Sequence, residues 1–158
     1  MTINKDYLYM SIDFGINKIG FAIGQLITKK ATPLKIIYNS KKGINWCDIE
    51  SLVAEWQPNV IIIGYPYSKV RSSFNKKLDS FIEEITEKYL DSIQIVKFSE
   101  ILSTEESKVI YSDIRKSQYN IKKKSDLDDL SASVILESWF NENMIRWNYE
   151  NRLQSSIK

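Results

Sequence analysis

The stretch MSIDFGINKIGFAIG, residues 10–24, decides how the chain is read. From residue 7 to residue 13 the sequence alternates, with Leu8, Met10 and Ile12 on one side and Tyr9, Ser11 and Asp13 on the other. Such alternation predicts a half-buried β-strand with Asp13 at its end. Residues 14–17 read as a turn in which Gly15 permits a tight backbone, and residues 18–27 as a second strand. Gly20 and Gly24 inside that strand predict a bulge or a close backbone approach. Residues 33–38 give a third strand, and connections this short predict an antiparallel meander. The question is why a carboxylate ends the first strand. It can start a turn before Phe14-Gly15, or it can belong to a metal site completed by acids from elsewhere.

Further along, the period changes. Ile49, Leu52, Val53 and Trp56 have helical spacing within residues 46–56, and Pro58 ends that helix. Residues 60–63 are β-branched throughout, as in a strand covered on both faces, and Gly64 and Pro66 shape the loop that follows. Residues 72–90 predict a helix with Leu78, Phe81, Ile82, Ile85 and Tyr89 on one side, and residues 93–98 a strand. Ser103 with Glu106 forms a capping box for a helix running to about residue 119. A basic linker at 122–124 leads to a last helix over about 126–141. The order βββαβαβαα predicts an α/β fold. Its sheet is mixed and five-stranded, a three-strand antiparallel meander plus parallel strands, with helices on both faces. Residues 1–142 are expected to form one domain, and residues 143–158 an extension, helical or disordered.

Composition narrows the chemistry. The 158 residues are 43% hydrophobic and 27% charged, enough for one domain with a sizeable core. A net charge of +2 does not announce nucleic acid, so any basic surface must be local. Histidine is absent, which excludes Ser-His-Asp and Cys-His nucleophile systems and the HExxH zinc motif. The single cysteine, Cys47, excludes a disulfide framework and reads as a small buried apolar residue. No apolar run is long enough to span a membrane, and the N-terminus lacks the apolar core of a secretory signal. A cytoplasmic protein without a membrane partner is the expectation.

Three acids fall at comparable points of this layout. Asp13 ends the first strand, Glu100 lies just past the fifth, and Asp128 opens the last helix. Parallel neighbouring strands bring their carboxyl ends together, and open sheets carry their sites at that edge. Each acid also has an ordinary role. Asp13 can start a turn, Glu100 can be a solvated loop acid, and Asp128 can complete a capping box with Ser125. Asp126 and Asp129 read as helix-terminus acids. The functional case rests on convergence. Two carboxylates about 5 Å apart at an effective dielectric near 20 repel by about 3 kcal/mol. Three together need a proton or a cation among them. Oxygen ligands without His or Cys select Mg²⁺ or Mn²⁺, one or two ions, and such a site suits phosphodiester hydrolysis.

The motif D-F-G-x-x-K-I-G at 13–20 resembles the opening of the YqgF/RuvX family, which has the ribonuclease H-like fold. Further matches follow in order: E-W-Q-P at 55–58, I-I-I-G-Y-P at 61–66, E-x-L-S-T-x-E at 100–106, and L-D-x-x-S-A-x-x-I-L-E-S-W-F at 127–140. The resemblance implies a metal-dependent nuclease that processes the 5′ end of pre-16S rRNA in ribosome biogenesis. It places the family's three catalytic, metal-holding acids on Asp13, Glu100 and Asp128. The family is also called Holliday junction resolvases, so branched DNA is an alternative substrate and DNA recombination an alternative setting. The implied partners are structured RNA and ribosomal precursor particles, with the chain a monomer or a homodimer. The sequence also departs from the family pattern. The triplet Ser99-Glu100-Ile101 lacks an acid and an arginine, residues 67–71 replace an N-x-x-G-like loop, and Ile16 replaces a hydroxyl residue. These departures motivate a third reading, a non-catalytic RNA-binding or ribosome-assembly factor. D-F-G-x4-G also resembles the first phosphate loop of actin-like ATPases, but those need two such domains.

Candidate nucleic-acid contacts cluster in two places. Lys108, Arg115, Lys116, Lys122, Lys123 and Lys124 stand among Tyr111 and Tyr119 with Asp113 as the one acid of that segment. Lysines and arginine there can hold phosphates while tyrosines stack on bases. Lys69, Arg71, Lys76 and Lys77 form a second patch after the loop at 64–66. Lys18 is placed to touch a phosphate, although a turn lysine is ordinarily solvated. Nothing in the sequence forms a base-reading code, so recognition by backbone and shape is expected.

Overall fold

The computed structural model describes residues 3–66, 72–99 and 124–157. The helix expected at 103–119 and most of the basic linker lie outside these residues. Five strands, β1 (Leu8–Asp13), β2 (Lys18–Gln25), β3 (Lys30–Tyr38), β4 (Val60–Tyr65) and β5 (Gln94–Ser99), form one sheet in the order β3-β2-β1-β4-β5. The pairs β1–β2 and β2–β3 are antiparallel, and β1–β4 and β4–β5 are parallel. The meander and the mixed sheet are as the pattern predicts. The described helices are α1 (Trp46–Trp56), α2 (Ser73–Lys88) and α3 (Lys124–Ile157).

The sheet divides two cores. On one face, Met10, Ile12, Phe21, Ile61 and Ile63 pack with Ile49, Leu52, Val53, Leu78, Phe81 and Ile85 of α1 and α2. On the other, Tyr9, Ala22 and Ile62 pack with Ala132, Ile135, Leu136, Trp139 and Phe140 of α3. The expectation of a half-buried first strand is therefore corrected, because β1 is central and both its faces are covered. Tyr9 and Ser11 read as a wet face in sequence, yet they are 1% and 0% exposed. The Tyr9 hydroxyl donates to Asn4 O at 2.8 Å, and burial pushes its pKa up.

Local chemistry sets the helix ends. Asn45 caps α1 by accepting from the Asp48 amide at 3.2 Å, and Gln57 ends it in the left-handed region before Pro58. Ser72 caps α2 through the Asn75 amide. The last helix, expected over about 126–141 with a helical or disordered extension beyond it, runs on without a break to Ile157. No proline or glycine interrupts the sequence between 124 and 157, and its polar composition hides the continuation. Because α3 begins at Lys124, Ser125 stands inside its first turn and not in the capping position before it. Cys47 is exposed, a second correction. It sits two residues before the buried Ile49, so the helical repeat turns it outward.

The glycines of β2 do what their position requires. The register against β3 shifts between Gly20 and Ala22. A Cβ on Gly24 would lie 2.3 Å from Lys30 O and 3.0 Å from the Phe140 ring. The small side lets β3 and α3 approach β2 together.

Candidate active site at the carboxyl edge of the sheet

β1, β3, β4 and β5 all point the same way, so their carboxyl ends share one edge of the sheet. Asp13 ends β1 at the middle of that edge. The next two residues explain its neighbours in sequence. Phe14 is buried, with its ring 4.9 Å from Phe81 and 5.9 Å from Phe74, so it pins the strand end beneath α2. Gly15 then turns the chain; a Cβ there would lie 2.5 Å from Lys18 O. The Asn39 side-chain amide donates to Ile16 O at 3.1 Å and Gly15 O at 3.4 Å, and its oxygen accepts from Asn45 N at 3.3 Å. This clamp fixes the turn behind Asp13 to the start of α1.

The strand alternation places Asp13 on the same face as Tyr9 and Ser11, the face that α3 covers. Its partner on β2 is Gly20. The pairing of Ile12 with Ile63 puts Gly64 level with it on β4. Asp13 is thus flanked on both neighbouring strands by residues without side chains, which leaves room beside a half-buried carboxylate. Phe98 of β5 pairs with Gly64 and packs on the same side.

α3 crosses this face with its amino-terminal end toward the edge. Tyr9 lies 4.8 Å from the Trp139 ring and 5.6 Å from the Phe140 ring, whereas Ser11 donates to Ala132 O. Each step along β1 toward Asp13 is therefore a step back along α3. Position 128 is one helical turn before Ala132. Glu137 of α3 is buried and accepts from the Ala31 amide at 3.1 Å, tying the helix to β3. Ser99 Oγ and Ser133 Oγ are buried and have no hydrogen-bond partner among the described residues.

Of the residues expected to act, Asp13, Gly15, Lys18, Gly64, Pro66, Lys76 and Lys77 are described, the last two on α2. Asp13, Gly15 and Gly64 come together at the edge, and Lys18 opens β2 beside the turn. Asp128 and Lys124 are placed only by the backbone of α3. Glu100, Lys69, Arg71, Arg115, Lys116, Lys122 and Lys123 lie outside the described residues. Among the described residues no group of three acids, histidines or cysteines converges. Among the described residues the donor at the edge is a carboxylate, with no sulfur or imidazole beside it, which fits a hard cation. Sequence reasoning missed Asn39, Ser11 and Glu137. Their roles depend on partners 24, 121 and 106 residues away, and no local pattern reports those.

Comparison with known proteins gives the family and the fold. A family model described as "RuvX: Holliday junction resolvase" matches residues 7–142. A protein of Buchnera aphidicola (subsp. Acyrthosiphon pisum, strain Tuc7) named "Putative pre-16S rRNA nuclease" is 34% identical over 138 residues, covering 85% of this chain and 98% of that one. A Francisella tularensis protein (strain WY96-3418) of the same name is 31% identical over 136 residues, covering 85% and 96%. Among solved structures, T. thermophilus RuvC in complex with a Holliday junction substrate superimposes with a TM-score of 0.58 at 12% identity, covering 87% of this chain and 96% of that chain. The fowlpox virus Holliday junction resolvase gives 0.56 at 18%, covering 87% and 99%. At such identities the structural likeness shows the fold, which is ribonuclease H-like. The family match and the curated relatives go further: the chain belongs to the RuvX family and is, as a member, an enzyme that hydrolyses phosphodiester bonds.

Proposed function

We propose that the protein is a divalent-metal-dependent nuclease of the cytoplasm that trims the 5′ end of pre-16S rRNA during ribosome biogenesis. The observation that carries the reading is Asp13, held at the carboxyl edge between Gly20 and Gly64 on the face crossed by α3. Asp128 lies one turn before the Ser11-bound Ala132. Glu100 follows Phe98 by two residues in sequence. Asp13, Glu100 and Asp128 would hold Mg²⁺ or Mn²⁺, one or two ions. When bound, the metal supplies Lewis-acid stabilisation of charge at the phosphodiester. The protein's own work is positioning. Phe14 and Asn39 fix the strand end and turn, Gly20 and Gly64 leave space for the substrate phosphate, and Gly15 and Pro66 shape the adjoining loops. Lys18, Lys69, Arg71, Arg115, Lys116, Lys122, Lys123 and Lys124 would neutralise the RNA backbone. Residues 143–157 extend the nuclease domain as the far end of α3.

A transcript carrying the 5′ extension of small-subunit rRNA, incubated with purified protein and Mg²⁺ or Mn²⁺, tests this. Shortening at a defined position that disappears in Asp13→Asn is expected. Binding without cleavage by the wild type would favour an assembly factor. The family description supports one other reading, cleavage of a four-way DNA junction. Paired symmetric nicks require a dimer, so a junction substrate in the same assay, with the oligomeric state measured, separates the two.

A further inference from the structure

The carboxyl edge carries a second feature, on the face opposite α3. Ile16 of the β1–β2 turn, Asn39 and Lys41 of the β3–α1 loop, and Lys76, Lys77 and Ser80 of α2 line an open groove of about 400 Å³. That volume lies within the range of ligand pockets. Three lysines face it, and no acid is among its described lining residues. Ile16 is 44% exposed there, an apolar side chain at the tip of a turn that begins one residue after Asp13.

The walls are preformed. Ser40 and Gly43 exchange two backbone hydrogen bonds, 3.1 and 3.0 Å, and Gly43 takes a φ of 118° that few other residues adopt. That closed turn presents Lys41. The Asn39 clamp joins it to the turn bearing Ile16. α2 is anchored below by Leu78 and Phe81, both 0% exposed, so Lys76, Lys77 and Ser80 stand on a rigid helix.

We propose that this groove takes one unpaired strand of the RNA substrate as it leaves the cleavage edge. Its phosphates lie against Lys41, Lys76 and Lys77, and a sugar or base face rests on Ile16. The inference rests on the nuclease reading and adds to it the path of the strand. Lysines facing a site without acids suit a polyanion. An exposed apolar side chain among them suits a base or sugar freed from a helix, because a paired duplex presents mainly phosphates and groove edges. Continuity with Asp13 through Phe14 and Gly15 makes the strand being cut the natural occupant.

The test is binding of a fluorescent single-stranded RNA of mixed sequence, titrated across salt concentrations. Lys41→Ala/Lys76→Ala/Lys77→Ala is expected to weaken affinity about tenfold or more near 0.1 M salt and to flatten the salt dependence by about 2 logarithmic units per decade. Ile16→Ser should weaken it by a smaller factor without changing the slope. Lys29→Gln/Lys30→Gln, at the opposite edge of the sheet, is the comparison for general charge loss. Unchanged affinity and slope in the triple variant overturn the groove, as does an equal loss in the distant pair. Cleavage by the wild type with such unaffected binding leaves the nuclease reading standing and removes only the strand path. Groove-dependent binding by a wild type that never cleaves has the reverse meaning. A wild type that neither binds nor cleaves removes both.

Discussion

On the α1/α2 face the sheet meets its helices through large side chains. Phe14 lies 4.9 Å from Phe81, Trp46 stacks on the same ring at 5.2 Å, and Ile12, Ile61 and Ile63 fill the space beneath. On the α3 face Tyr9, Ile62, Trp139 and Phe140 form a core of large side chains too, but around Asp13 the strands present Ser11, Gly20 and Ala22, and the helix answers with Ala132, Ser133 and, further on, a buried Glu137. Large interlocking groups stabilise both faces. Around Asp13, on the α3 face alone, small and polar groups cost burial energy but allow a helix to lie close and leave room at its end. That end is where Asp13 stands. The comparison teaches that large side chains hold both faces, while small ones clear the carboxyl edge for chemistry on one of them.

Substitutions at the carboxyl edge and within the two cores should therefore differ in what they damage. Asp13→Asn should lower metal-dependent cleavage by about 10³-fold or more while the melting temperature hardly moves. A variant that melts early instead would place Asp13 with the structural residues. Phe81→Ala, on the other face, should cost about 3–4 kcal/mol in urea unfolding, from lost burial plus the cavity left behind. A loss below about 1 kcal/mol would mean the aromatic cluster is not the main support of that face. Gly24→Ala should destabilise by about 1–3 kcal/mol, because its Cβ meets the Lys30 carbonyl and the Phe140 ring with nowhere to retreat. If it were neutral, the close approach of β3 and α3 would not depend on small residues. Ser11→Ala should cost about 1 kcal/mol, the net worth of its bond to Ala132 O, again read by urea unfolding. Smallest is Lys88→Ala. Its 3.0 Å ion pair with Glu50 is half-exposed, so the change should stay within about 0.5 kcal/mol.

The α1/α2 face was the legible one. Alternation in residues 8–13, the β-branched run in β4 and the helical spacing of Ile49, Leu52 and Val53 each carry their own period, and each element formed where its period lies. The α3 face was legible only in part. Asp13 stood out because an acid at the end of an apolar strand breaks the local pattern. Ser11 did not stand out, because a hydroxyl on an alternating strand looks solvated until a helix over a hundred residues away covers it. The same lack of a local signal hid Glu137, and it left residues 143–158 open between helix and disorder, since the mostly polar stretch 142–157 offers no apolar stripe and no breaker. Cys47 was misread because composition assigns cysteine to the interior, whereas its place two residues from Ile49 assigns it to the outside.

The central claim is that Asp13, Glu100 and Asp128 act as one oxygen-ligand set for a divalent ion. Calorimetric titration of Mn²⁺ into the wild type and into Asp13→Asn, Glu100→Gln and Asp128→Asn tests it without needing the natural substrate. Saturable binding by the wild type, weakened in each single variant while all four proteins unfold alike, is the predicted result. Equal Mn²⁺ affinity in the wild type and the three variants, or none in the wild type, would contradict it.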